Sequence, residues 1–359
     1  MRTACHPVSD RLASLCETHL IPHTALLELT WRCALNCLHC YIPAGHRRKS
    51  LRQASELTSA QWCDALDQLA DLGTLYLILS GGEIGLRQDL TDIVRHARER
   101  DFDVTLYTSG TSMDDRTIDA LGRLEVARVE ISVYGRPKPH DAITGNAGSF
   151  QKSFRTAKRF AAAGVQVVLK CTLMERTFGE YPSLIELAKE HGFSYQLDPI
   201  LVPRDDGDPT PLDYRLDDDG MSAVFKDVSA RVSTEIRSLE ELSGASPECA
   251  AGKTFLSIGP DGTVYPCIEW RTELGNISER PLRDIWFHSE EAGRIHSLRA
   301  RDYVVCRSCE LLAWCPRCTG MAFREGDVLG KAAESCRLAA LNRRFHRLVT
   351  PHAKHAVLC

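Results

Sequence analysis

Cys33, Cys37 and Cys40 stand three and then two residues apart, just past the apolar run "ALLELT" at 25–30. Three thiolates are one short of a structural zinc site and odd for disulfides. They can hold three irons of a [4Fe–4S] cluster and leave the fourth iron open, where a small molecule can be chelated. A zinc site completed by His39 or His46 is the other reading. A second group, "CRSCELLAWCPRC", spaces Cys306, Cys309, Cys315 and Cys318 by two, five and two residues, with Cys249 and Cys267 upstream and Cys336 downstream. A zinc ribbon uses paired cysteines too, but with a spacer of about fifteen to twenty residues. These seven are also one short of two complete four-ligand sites. Cys5, Cys16, Cys63, Cys171 and Cys359 have no partner by spacing and read as small hydrophobes or free thiols.

The compartment decides what fifteen cysteines mean. No run approaches about eighteen apolar residues, and the N-terminal "MRTACHPVSDRLASL" lacks the apolar stretch of a signal peptide. The expected location is therefore the cytoplasm, where clustered cysteines bind metal or do chemistry rather than pair. A net charge of −4 gives no electrostatic case for nucleic acid or an anionic membrane as partner. With 43% hydrophobic and 26% charged residues, the 359-residue chain can bury a full core.

The elements that position these residues alternate along the first two hundred positions. Short apolar runs at 25–30, 74–80, 103–109, 128–134, 165–173 and 194–201 read as parallel strands covered on both faces. Helix patterns lie between them. In "TSAQWCDALDQLADLG" (58–73) Thr58 or Ser59 caps the start and Gly73 ends the helix, and 148–164 has the same grammar. Six β/α repeats fit an incomplete barrel or a doubly wound sheet. The acidic, proline- and glycine-rich stretch 202–220 reads as a solvated linker, followed by a polar helical segment to about 243. A hairpin is expected over 254–267 around Pro-Asp-Gly. The expected domains are an N-terminal segment 1–23, a barrel 24–203, a linker 204–248, a cysteine-rich domain 249–340 and a tail 341–359.

C-x3-C-x2-C after the first strand resembles the signature of the radical S-adenosylmethionine (radical SAM) superfamily. The resemblance implies a partial (β/α)6, TIM-like barrel whose open iron takes the amino and carboxylate groups of SAM and yields a 5′-deoxyadenosyl radical. It places His39 near the adenine, with Tyr41 also at the cofactor. "SGGE" (80–83) resembles the family's GGE motif, so Gly81, Gly82 and Glu83 are expected at the SAM amino group; glycine lets backbone approach closely. Ile84 stands where proline is usual, which alters turn stiffness more than chemistry. "YTSG" (107–110) resembles a Thr-Asn-Gly segment of relatives. Ser109 and Ser132 are candidates at the cofactor, as is Lys170, one charge inside an apolar run that would be costly to bury unpaired. The second cysteine group resembles the SPASM extension, with two auxiliary [4Fe–4S] clusters. Position by position, Cys306, Cys309, Cys315 and Cys336 would hold one, and Cys249, Cys267 and Cys318 the other, its fourth position left open. The gap before Cys318 is two residues where the sulfatase-maturase version has three.

SPASM relatives mostly modify peptides or proteins. Sulfatase maturases carry an aspartate directly after the hairpin cysteine. Here that position is Ile268, with Glu269 one further on, and a one-residue shift in a strand turns a side chain to the other face. The resemblance therefore favours a peptide maturase that oxidises or crosslinks a ribosomally made precursor peptide, with Glu269 and Asp198 as candidate proton acceptors. A fused leader-binding domain would need more than the roughly 24 residues before the barrel, so a separate small recognition protein is expected. A flavodoxin- or ferredoxin-type electron donor is expected as well. The alternatives are a radical SAM dehydrogenase or carbon-skeleton enzyme acting on a small metabolite, and sulfatase-maturase-like protein oxidation.

Overall fold

All six apolar runs of the first two hundred residues form parallel strands, laid side by side in chain order. The computed structural model describes residues 8–47, 56–231 and 248–345. The strands are β1 (Thr24–Thr30), β2 (Tyr76–Gly81), β3 (Asp103–Thr108), β4 (Arg128–Ser132), β5 (Gln166–Thr172) and β6 (Ser194–Asp198). The sheet does not close, because β6 is an edge and β1 continues into other strands. This is a partial (β/α)6 barrel.

The cysteine-rich region is built into the same sheet. After its first cysteine, β7 (Phe255–Ile258) pairs parallel with β1, then β8 (Thr263–Tyr265) and β9 (Gly275–Asn276) follow antiparallel. The expected hairpin is β7–β8, turned over Gly259–Gly262, with Gly262 at φ +88°. One continuous hydrophobic core includes both Leu27 of β1 and Ile258 and Trp286 of the C-terminal region. The Trp286 indole N–H donates to the Leu20 carbonyl at 2.7 Å, tying that region to the chain before β1.

The helix expected at 58–73 spans Ser59–Asp71. Thr58 and Gln61 cap it reciprocally, and Gly73 follows with φ +86°. Such a cap contributes about 1 kcal/mol. The second expected helix spans Ser149–Ala162. Of the polar segment to about 243, a helix Asp218–Arg231 is seen and the rest lies outside the described residues. Cys5 and Cys359 also lie outside them, while Cys16, Cys63 and Cys171 are free thiols.

The barrel strands are less uniformly apolar than covered strands usually are. Leu27 and Leu29, Val129 and Ile131, and Leu169 and Cys171 point into the helix-covered core. Alternate positions carry Glu28, Glu130, Ser132, Lys170, Thr172 and Asp198. Ser132 lies opposite Lys170 and Thr172 opposite Asp198, so each pair shares a face of the sheet. That second face is polar because it lines a cavity.

Candidate active site

The cavity opens at the C-terminal ends of the strands, where barrel active sites collect. It is lined by Cys33, Cys37, His39, Cys40 and Tyr41 from the loop after β1 and by Gly81 and Gly82 at the end of β2. Ser109, Ser132, Lys170 and Asp198 come from the ends of β3 to β6, and Glu269 from the cysteine-rich region. Eleven strand-end and loop positions singled out in the sequence thus converge with Glu269 on one space. Tyr107, Glu130, Tyr134, His140 and Thr172 line it too, and the motif reading missed them. For the four that lie in the apolar runs the signal was period-two polarity; His140, in the helix Pro137–Thr144, had none.

Glu83 is the exception. It is fully buried and does not line the cavity; its carboxylate braces strand ends instead. One oxygen accepts from the Thr108 hydroxyl at 2.5 Å and the Gly85 N–H at 3.0 Å. The other accepts from the Ser109 N–H at 3.0 Å and from the Ser109 hydroxyl. The two glycines also answer first to protein. A Cβ on Gly81 would lie 2.1 Å from the Thr30 carbonyl oxygen, and one on Gly82 would lie 2.4 Å from that of Arg32. Glycine here lets the end of β2 press against the backbone leading into the cysteine loop.

Electrostatics inside the cavity follow burial. The Cys33 thiol is pushed up to about 12, chiefly by burial, and Cys37 and Cys40 are raised for the same reason. As free groups they are protonated thiols, and a metal is what makes them thiolates. The Leu35 N–H donates to the Cys33 sulfur at 3.4 Å, the kind of contact that steadies a metal-bound thiolate. Burial lowers His39 to about 4, so its ring is neutral beside the Tyr134 hydroxyl at 3.1 Å. The Tyr41 hydroxyl donates to Glu28 at 2.6 Å. Lys170 is not unpaired: its Nζ lies 3.4 Å from buried Glu130 and 4.4 Å above the Tyr107 ring. Asp198 and Glu269 are both raised by burial, which favours a carboxylate that takes up a proton.

Two sequence expectations need correction. Glu269 does not sit in a strand: Trp270 N–H bonds the Cys267 carbonyl at 3.1 Å, so residues 268 and 269 form a tight turn. The face-alternation argument fails there, and the turn delivers Glu269 into the cavity. Asp205, in the stretch read as solvated, is ion-paired with Arg271 at 3.1 Å and Arg324 at 2.8 Å. Arg271 also meets Glu28 of β1 at 2.7 Å, and Arg324 approaches Glu269 at 3.3 Å, off hydrogen-bond geometry. This chain of alternating charge joins the barrel to the cysteine-rich region.

The seven C-terminal cysteines fall into two neighbourhoods. Cys267 lies in the field of Cys318 and Cys249, while Cys315 lies in that of Cys336, Cys306 and Cys309. No group of three or more His, Cys, Asp or Glu among the described residues is arranged to hold a single metal ion. Cluster thiolates each bind a different iron and need no common point. The donor sets, three sulfurs, three sulfurs and four sulfurs, suit iron–sulfur clusters better than mononuclear zinc.

Comparison with known proteins agrees with this chemistry. A family model of the radical SAM superfamily matches residues 27–188, and one of the SPASM iron–sulfur cluster-binding domain matches 249–310; together they span more than half of the chain. The chain belongs to the radical SAM superfamily, in its SPASM branch. Its cofactors are SAM and [4Fe–4S] clusters. Among relatives of this SPASM protein, the PqqA peptide cyclase of Ruegeria pomeroyi is 29% identical over 306 residues, 80% of each chain. The AdoMet-dependent heme synthase of Methanosarcina barkeri is 27% identical over 340 residues, 86% of this chain and 94% of its own. SuiB of Streptococcus suis, solved with S-adenosylmethionine, shares the fold with a TM-score of 0.69 at 18% identity, covering 92% of this chain and 81% of its own. No helix among the described residues is long and apolar enough to cross a membrane.

Proposed function

We propose that this radical SAM enzyme removes hydrogen from a ribosomally made precursor peptide and installs an oxidative modification or crosslink. One observation carries the reading. A single cavity joins the three-cysteine loop to two half-buried carboxylates, one from the barrel and one from the cysteine-rich region. The PqqA peptide cyclase relatives and the SuiB fold, also solved with its precursor peptide SuiA, favour a peptide as the occupant.

When bound, SAM and its cluster supply a 5′-deoxyadenosyl radical, and the auxiliary clusters supply a sink for the second electron. Cys33, Cys37 and Cys40 would hold the SAM cluster. Cys306, Cys309, Cys315 and Cys336 would hold one auxiliary cluster, and Cys249, Cys267 and Cys318 the other. His39, Tyr41, Gly81, Gly82, Ser109 and Ser132 line the space left for SAM, with Glu83 fixing Ser109 from behind. Lys170, held by Glu130, supplies positive charge near Asp198. Once a hydrogen atom has left the substrate, the remaining proton needs an acceptor within hydrogen-bond reach, and Glu269 and Asp198 are the carboxylates in place. A small recognition protein presenting the peptide, a flavodoxin- or ferredoxin-type donor and a cytoplasmic setting complete the proposal.

The test is anaerobic turnover with SAM, a low-potential reductant and candidate precursor peptides. Expected are 5′-deoxyadenosine and a peptide two hydrogens lighter per event, read by mass spectrometry. Glu269→Gln or Asp198→Asn, whichever removes the true acceptor, keeps 5′-deoxyadenosine formation but lowers product about 100-fold or more. The heme synthase relative favours a second reading, a small-molecule substrate. Consumption of a metabolite with every peptide untouched would establish it instead.

A further inference from the structure

Arg47 closes the short helix Ala44–Arg47, seven residues after the last cysteine of the loop. Its carbonyl accepts from the Cys33 N–H at 3.2 Å, which holds the residue against the first cysteine. The residue is only 6% exposed, and neither Nε nor Nη1 has a hydrogen-bond partner among the described residues. No carboxylate lies within ion-pair distance of it among the described residues. Its positive charge acts on Cys33, Cys37 and Cys40 alike. A guanidinium buried without an anion is costly, so its position calls for one.

The geometry decides which anion. Arg47 does not line the cavity, yet its carbonyl is bonded to Cys33 and its charge reaches all three thiols, so it lies beside the cysteines without occupying the space open to SAM. Three thiolates around a 2+ cluster leave a net charge of −1, and one electron makes it −2. We infer that Arg47 is the built-in counter-cation of the three-cysteine site, stabilising the reduced cluster and so raising its reduction potential. A low-potential one-electron donor then loads the site more fully. The inference rests on reading Cys33, Cys37 and Cys40 as a cluster site.

The test is a redox titration of the anaerobically reconstituted full-length protein, followed by the part of the EPR signal that changes on adding SAM, with iron counted per chain. Arg47→Met and Arg47→Gln remove the charge; Arg47→Lys keeps it. The neutral variants are expected to cut the reduced-to-oxidised ratio at a fixed potential about tenfold, a downward shift of about 59 mV for one electron. Arg47→Lys is expected to stay near wild type. If the neutral variants fail to retain the cluster while the lysine variant retains it, the charge is again what the site needs. Equal potentials in all four proteins would overturn the role of Arg47 and leave the cluster site standing, as would loss of iron in the lysine variant as well. A wild-type protein with no SAM-responsive signal would overturn the cluster reading itself.

Discussion

Gly82→Ala probes how the cysteine loop is held. The added Cβ would meet the Arg32 carbonyl oxygen at 2.4 Å and that of Trp31 at 2.6 Å, with the Arg32 carbonyl carbon at 2.8 Å. Real Cβ contacts stay beyond 3.0 Å, and every obstacle is backbone, so something rigid must move. Two hydrogen bonds resist the motion: Gly82 N–H to Thr30 O at 2.7 Å and Glu83 N–H to Arg32 O at 2.9 Å. Arg32 is itself fixed by Glu56 at 3.1 Å. Overpacking costs about 1–3 kcal/mol, and a strained or lost hydrogen bond adds about 1, so the expected destabilisation is about 2–4 kcal/mol. The displaced segment leads directly into Cys33. Iron should fall by about four atoms per chain of about twelve, leaving the auxiliary clusters in place. SAM cleavage to 5′-deoxyadenosine should fall about 100-fold, the effect of misplacing reacting groups by roughly 1 Å. Gly179→Ala, where a Cβ meets nothing within 4 Å, is the matched control and should behave as wild type. Full iron content and SAM cleavage within twofold in Gly82→Ala would refute the reasoning.

Three further outcomes are expected. Arg271→Met should cost about 3–5 kcal/mol in chemical unfolding, because it leaves fully buried Glu28 without its 2.7 Å ion-pair partner; Glu28→Leu should cost less, since Asp205 still pairs with Arg271 at 3.1 Å, and the double variant should cost clearly less than the sum. His140 is buried, and burial lowers it from 6.5 to about 4, so the unfolded chain takes up its proton first on acidification. Its contribution is full above about pH 6.5 and lost toward pH 4, about 3 kcal/mol in all; thermal melts across that window should show the slope, and His140→Asn should flatten it. Gly293 lies inside the helix Glu290–Ser297 with open space around it, so Gly293→Ala should raise stability by about 0.5–1 kcal/mol and the melting temperature with it.

Local chemistry was the legible part of this chain. Parallel strands announce themselves as apolar runs, so all six barrel strands could be read directly, and Thr58 with Gln61 marked a helix start. Spacing was enough to single out the cysteine loop and the C-terminal cysteine group, while the division of that group into two sets came from the SPASM resemblance. What could not be read was long-range. The pairing of β7 with β1 joins residues more than two hundred positions apart, and nothing local in either strand names its partner. Asp205 looked solvated because its partners, Arg271 and Arg324, come from a distant region. The partner of Lys170 could not be read because Glu130 reaches it only when β4 and β5 lie side by side. Glu83 looked like a ligand-facing motif residue, yet its acceptors are spent on Thr108, Ser109 and Gly85. The turn that carries Glu269 inward follows a strand and was read as its continuation.

The most direct test of the account is the iron, sulfide and zinc content per chain of anaerobically isolated protein. About twelve irons with matching sulfide and no zinc is the predicted result, three [4Fe–4S] clusters in the neighbourhoods described. About four irons with one or two zincs would contradict it: the SAM site would stand, but the C-terminal cysteines would be structural, and the auxiliary-cluster chemistry proposed for peptide oxidation would be gone.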